Sequence, residues 1–118
     1  MSIAPNPPPP PPPVKVTFDK DADPQFTFKP STVRVKGRAT IVFQQDSAQA
    51  AWRFTTADVK EDTKGQFHPE VPGDGRVLQI KDDFKDTEIE AYSYNVTVVL
   101  DGTPYTSPDP HIVNDPGG

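Results

Sequence analysis

The sequence predicts an all-β protein: a two-sheet antiparallel β-sandwich of about seven or eight strands. Three observations carry this reading. The stretch Glu88 to Val113, EIEAYSYNVTVVLDGTPYTSPDPHIV, contains the longest clean alternation in the chain. Glu90, Tyr92, Tyr94, Val96, Val98 and Leu100 fall on one side of it, aromatic or aliphatic after the first, and Ile89, Ala91, Ser93, Asn95, Thr97 and Val99 on the other, which is the period-two pattern of a strand with one face toward a core. Further short alternating stretches precede it, separated by Pro, Gly and Asp, with no long apolar 3.6-residue period between them. That spacing fits a meander or Greek key rather than βαβ units.

Taken in order, the chain opens with seven consecutive prolines, Pro7 to Pro13. Proline fixes φ and has no N–H, so residues 1–13 should form an extended polyproline tail that joins no sheet. Val14 to Phe18 (VKVTF) alternates and reads as the first strand. Asp19 to Pro24 (DKDADP) breaks it; Phe26 and Phe28 alternate again, and Lys29-Pro30-Ser31 turns the chain. Thr32 to Lys36 (TVRVK) and Ala39 to Gln44 (ATIVFQ) are strands divided by Gly37. Ala50 to Phe54 holds the only tryptophan, Trp52. Thr56 to Asp62 has a candidate N-cap and helix-compatible residues, and suggests one short helical turn stopped by Gly65. Phe67 to Arg76, with two prolines and two glycines, is expected to be irregular. Val77 to Ile80 is a strand, and Lys81 to Thr87 a charged connection with Phe84 as its anchor. The long strand follows and stops at Asp101-Gly102, a dipeptide suited to a tight hairpin. His111 to Asn114 is expected as a last edge strand. The expected organisation is a tail over 1–13, a sandwich domain over 14–114 and a loose terminus over 115–118.

The totals narrow the chemistry. With 118 residues the chain makes one domain, and its formal net charge of −5, with both signs interspersed, provides no basic face for nucleic acid. There are no cysteines, which excludes disulfides, thiolate catalysis and thiolate metal sites. The N-terminus has neither the basic nor the apolar region of a signal peptide, and no apolar run reaches the roughly 20 residues that span a bilayer. A cytoplasmic protein without membrane contact is expected.

Asp19, Asp21 and Asp23 sit at alternate positions, as in a carboxylate cation loop, and are calcium candidates. Counted from Asp19, the EF-hand glycine and glutamate positions hold Pro24 and Pro30, so this is not an EF-hand. His68 and His111 are too far apart in the sequence to be paired by spacing. Ser107, Asp109 and His111 lie too close along a proline-rich segment to form an activated nucleophile. No phosphate-binding glycine loop is present. Trp52, Tyr92 and Tyr94 read as core residues, and Tyr105 as a loop-borne surface aromatic.

FTFKPSTVRVKGRATIVFQ resembles the opening of a cupredoxin, and AYSYNVTV the strand before that family's ligand cysteine. A blue-copper site needs a thiolate and two imidazoles, so the resemblance implies architecture and not electron transfer. The central tryptophan and Tyr92 also suit an immunoglobulin-like sandwich. Three Asp-Pro pairs occur, and the ending SPDPHIVNDP resembles the tail of a group of small bacterial proteins, the DP-EP family. That likeness implies a compact β-sandwich over roughly residues 14–116 and adds no catalytic residue.

These readings lead to a non-enzymatic module without cofactor. It should bind an unidentified protein partner, or itself, through the proline tract (Pro7, Pro10, Pro13), through Tyr105 or through a sheet edge. The alternative is a cation or small-ligand binding sandwich that uses the Asp19–Asp23 loop and the Phe67–Arg76 loop.

Overall fold

The computed structural model describes residues 10–117. Among these are ten strands and no helix: β1 (Val14–Phe18), β2 (Phe26–Lys29), β3 (Thr32–Val35), β4 (Ala39–Gln45), β5 (Arg53–Val59), β6 (Phe67–Glu70), β7 (Val77–Asp82), β8 (Glu90–Leu100), β9 (Thr103–Thr106) and β10 (His111–Asn114). One sheet has the order β2-β1-β4-β7-β6; the other has β3-β10-β8-β5, with β9 also paired to β8. The fold is the expected two-sheet sandwich. No helix among the described residues is long and apolar enough to cross a membrane.

Both sheets are mixed rather than purely antiparallel. The chain changes sheets at Pro30-Ser31, between β2 and β3. As a result β1 pairs β4 in parallel, and β3 pairs β10 in parallel. All other pairings are antiparallel.

Four local expectations change. Thr56 onward is strand β5 and not a helical turn, because it pairs with β8 from Arg53↔Val99 to Val59↔Tyr94. Phe67 to Glu70 is a regular strand despite Pro69, since it lies at the sheet edge, where proline's missing N–H costs no ladder bond. Tyr105 lies on β9 rather than in a loop. His111 to Asn114 is not an edge strand: β10 sits between β3 and β8. The Asp101-Gly102 hairpin is as expected. Both residues have positive φ, 51° and 79°, as a two-residue turn that follows the strand twist requires.

Each strand places one face between the sheets. Val14, Val16 and Phe18 of β1, Ile41 and Phe43 of β4, Leu78 and Ile80 of β7, Tyr94, Val96 and Val98 of β8, and Ile112 of β10 are all buried. Tyr94 lies among them, with edge-to-face contacts to Phe28 and Phe43 at centroid separations of 6.0 and 5.5 Å. Its hydroxyl is buried and has no hydrogen-bond partner among the described residues. Burial raises the Tyr94 phenol above its ordinary pKa. Tyr94→Phe removes only that hydroxyl and is expected to stabilise the fold by about 1 kcal/mol. The change should appear as a higher urea midpoint at unchanged m-value, and a lower midpoint would contradict it.

Candidate functional site

The pairing registers gather four connections at one end of the sandwich. Val16 lies opposite Gln45, Gln44 opposite Val77, and Arg53 opposite Val99. The β1–β2, β4–β5, β6–β7 and β8–β9 connections therefore share this end. The Phe54 N–H donates to Gly75 O at 2.8 Å and ties β5 to the β6–β7 connection. Gly75 is needed there: its φ is +90°, and a Cβ would stand 2.9 Å from Phe54 O.

Between the β1–β2 and β4–β5 connections lies an open cavity of about 440 Å³, within the range of small-molecule sites. Its floor is aromatic and aliphatic. Phe18 and Trp52 meet edge to face at 6.1 Å, and Leu100 and Ala50 complete the floor. Phe18 also packs on Phe26 at 4.7 Å and on Tyr105 at 5.0 Å, while Trp52 meets Phe54 at 5.0 Å. Phe18, Trp52 and Phe54 are buried, so the floor is continuous with the core.

The rim is acidic. Asp19, Asp21 and Asp46 line it against one cation, Lys20. The Lys20 ammonium contacts Asp21 at 3.3 Å, and this hydrogen bond raises its pKa above the ordinary lysine value. The Thr17 hydroxyl donates to Asp46 Oδ2 at 3.0 Å, and the Asp21 N–H to Asp19 Oδ1 at 2.9 Å. Three carboxylates against one paired ammonium favour a cationic ligand.

The candidates read from the sequence are distributed unequally over this site. Asp19 and Asp21 are on the rim, and Asp23 is exposed and does not line the cavity. The three do not converge, and among the described residues no group of three His, Cys, Asp or Glu side chains could hold a metal ion. Tyr105 stands behind the floor, half-buried against Phe18. The Phe67–Arg76 segment does not join Asp19 and Asp21. Arg76 donates to Ala48 O at 2.9 Å and lines a neighbouring cavity that shares only Asp46 and Ser47 with the first. Pro10 and Pro13 are exposed; Pro7 lies outside the described residues. A blue-copper ligand set does not fit this end, where Phe18, Trp52 and Leu100 face the cavity. His68 instead bonds Asp83 at 2.8 Å, and His111 begins β10.

The other end of the sandwich holds a buried polar cluster that the sequence reading missed. Asp86 accepts from Lys64 Nζ at 2.7 Å, from the Tyr92 hydroxyl at 2.8 Å, and from Gln66 Nε2 and Asn114 Nδ2 at 3.0 Å each. Burial pushes the Asp86 carboxyl up, but these four donors together outweigh it and hold the group below its ordinary value. Burial and the Asp86 hydrogen bond raise the Tyr92 phenol. Nearby, the hydrogen bond from Lys36 and, beyond it, that from Arg34 hold Asp115 low; Asp115 is buried and anchors the chain just after β10. The signal for this cluster was strand phase. Asp82 falls in step with Leu78 and Ile80, and Asn114 with Ile112, which puts polar residues at inward positions.

The model of the DP-EP family matches residues 10–116. No curated protein matches the chain. With nearly its whole length matched, the chain belongs to the DP-EP family.

Proposed function

We propose that this member of the DP-EP family is a non-enzymatic binding module whose binding surface is the loop end of the sandwich. Its ligand is a cationic group on an apolar stem, such as an alkyl- or arylammonium or a lysine-bearing peptide. One observation carries the reading: the 440 Å³ cavity combines a buried aromatic floor with an acidic rim. The floor takes the apolar stem and the rim carboxylates take the charge. The lining supports binding rather than catalysis, since its lysine is held by Asp21 and it contains no histidine.

The strand order supports a cupredoxin-like reading over an immunoglobulin-like one. Two parallel pairings, β1 with β4 and β3 with β10, do not suit the antiparallel sheets of the immunoglobulin sandwich. A second binding surface is favoured by the exposure of Pro10, Pro12 and Pro13, which leaves a polyproline face open to an aromatic-lined partner groove. The sheet edges are less suited to partners, since Pro69 on β6 and Pro104 on β9 remove edge donors. We place the chain in the cytoplasm.

Three probes of one shape test the charge requirement: phenethylammonium, 2-phenylethanol and phenylacetate, each followed by Trp52 fluorescence. The ammonium should bind about fivefold more tightly than the alcohol, as a few exposed ion pairs allow, and phenylacetate most weakly. Asp21→Asn combined with Asp46→Asn should abolish the preference. Equal affinities for all three probes would defeat the reading.

A further inference from the structure

We propose that the buried polar cluster joining the two sheets, opposite the cavity, is a proton-binding device in which a proton on Asp82 Oδ2 closes a network that ionised Asp82 leaves open. The cluster spans the sandwich. Asp82 ends β7 in one sheet, Asn114 ends β10 in the other, and Tyr92 is the third residue of β8. Gln66 and Asp86 come from the β5–β6 and β7–β8 connections.

The pattern of donors fixes the orientation of each amide. Gln66 Nε2 donates to Asp86 Oδ2 and to the Tyr92 hydroxyl, while its Oε1 accepts from the Lys85 N–H at 2.8 Å and from Asn114 Nδ2 at 3.3 Å. Asn114 Nδ2 also lies 3.0 Å from Asp86 Oδ2 and 3.4 Å from Asp82 Oδ1, so its two hydrogens are shared among three acceptors. Asp82 Oδ1 further accepts the Phe84 N–H at 2.9 Å. Two buried atoms are left without a partner among the described residues of this cluster, Asp82 Oδ2 and Asn114 Oδ1. Both are acceptors. Turning the Asn114 amide over does not help, because its oxygen would then face the acceptors Asp86 Oδ2, Gln66 Oε1 and Asp82 Oδ1. A proton on Asp82 Oδ2 converts one of the two open acceptors into a donor and removes a buried charge.

The surrounding charges act in the same direction. Asp86 faces Asp82 from the β7–β8 connection and Asp62 from the β5–β6 connection. Lys64 is bound to Asp86 and not to Asp82. On β10 the next residue, Asp115, is bound by Arg34 and Lys36; on β6, His68 is bound by Asp83. Tyr92 is neutral. Burial, then the Asp86 and Asp62 charges, push the Asp82 carboxyl up to about 6, against the Phe84 N–H and the Asn114 amide. The folded chain thus binds this proton about a hundredfold more tightly than the unfolded chain. The stability linked to Asp82 is full below the free value of 3.8, declines as pH rises, and levels off above about 6. The sheet junction is tightest in mild acid.

The test is a carbon-13 NMR titration of the Asp82 carboxyl in the full chain. A midpoint near 6, shared by the Asn114 side-chain amide, is expected. A midpoint below about 4.5, close to an ordinary aspartate, overturns the proposal. Thermal melts of wild type and Asp82→Asn give a second readout. Between pH 5 and pH 7.5 the wild type should lose about 5 °C or more and the variant about 2 °C or less. Equal losses also overturn it. If the variant fails to fold, the wild-type titration decides alone.

Discussion

Asp86→Ala should destabilise the fold by about 3–5 kcal/mol, read as a large fall in the urea midpoint. Asp86 is the one acceptor on which Lys64, Gln66, Tyr92 and Asn114 converge. Lys64 is half-exposed and can turn to water. The Tyr92 hydroxyl cannot do so as readily, and it loses its only acceptor in the cluster. Asp86→Asn keeps one oxygen acceptor and should cost less, which separates charge from shape. The pH dependence has the opposite sign to that of Asp82. The folded value of Asp86 lies below the unfolded one, so its contribution is present above about pH 4 and lost as pH falls through the folded value. The two buried carboxylates together place maximum stability near pH 4, where the Asp86 contribution has been gained and most of the Asp82 contribution remains. An Asp86→Ala loss under about 1 kcal/mol would mean that the cluster does not hold the sheets together.

Trp52→Ala should cost a similar amount, about 3–5 kcal/mol, because it empties a buried aromatic position between Phe18 and Phe54. Trp52→Phe keeps most of the packing and should cost less than half as much. The two variants also divide stability from binding. Trp52→Phe should fold and hold phenethylammonium within about threefold of wild type, since a ring still floors the cavity. Calorimetric titration measures this without the tryptophan signal. Tenfold weaker binding by a folded Trp52→Phe would assign the floor a role specific to the indole.

The long strand was legible because β8 alternates without interruption from Tyr92 to Leu100, and its hairpin because Asp-Gly tolerates positive φ. β5 was hidden by its own irregularity. A register shift between Phe54 and Thr56 breaks the alternation, and pairing with β8, a contact distant in sequence, overrides the helix-compatible composition. β6 and β9 were obscured by Pro69 and Pro104, which end a central strand but suit an edge. The loop-end cavity was legible only in pieces. Asp19 and Asp21 were visible as an acidic turn, but the parallel pairing of β1 with β4 and the β4–β5 connection bring Phe18 to Trp52. Asp82 lies among the charges of Lys81 to Thr87, which mask a phase with Leu78 and Ile80 that points inward.

The measurement that tests the binding account most directly is a nitrogen-15 chemical-shift map of the full chain titrated with phenethylammonium. The account predicts perturbations confined to the cavity lining, Thr17 to Asp21, Asp46, Ser47, Ala50 to Trp52 and Leu100, with Tyr105 following Phe18. Perturbations centred on β2, on β6 or on Val14 beside the proline tail, or none at all, would contradict it.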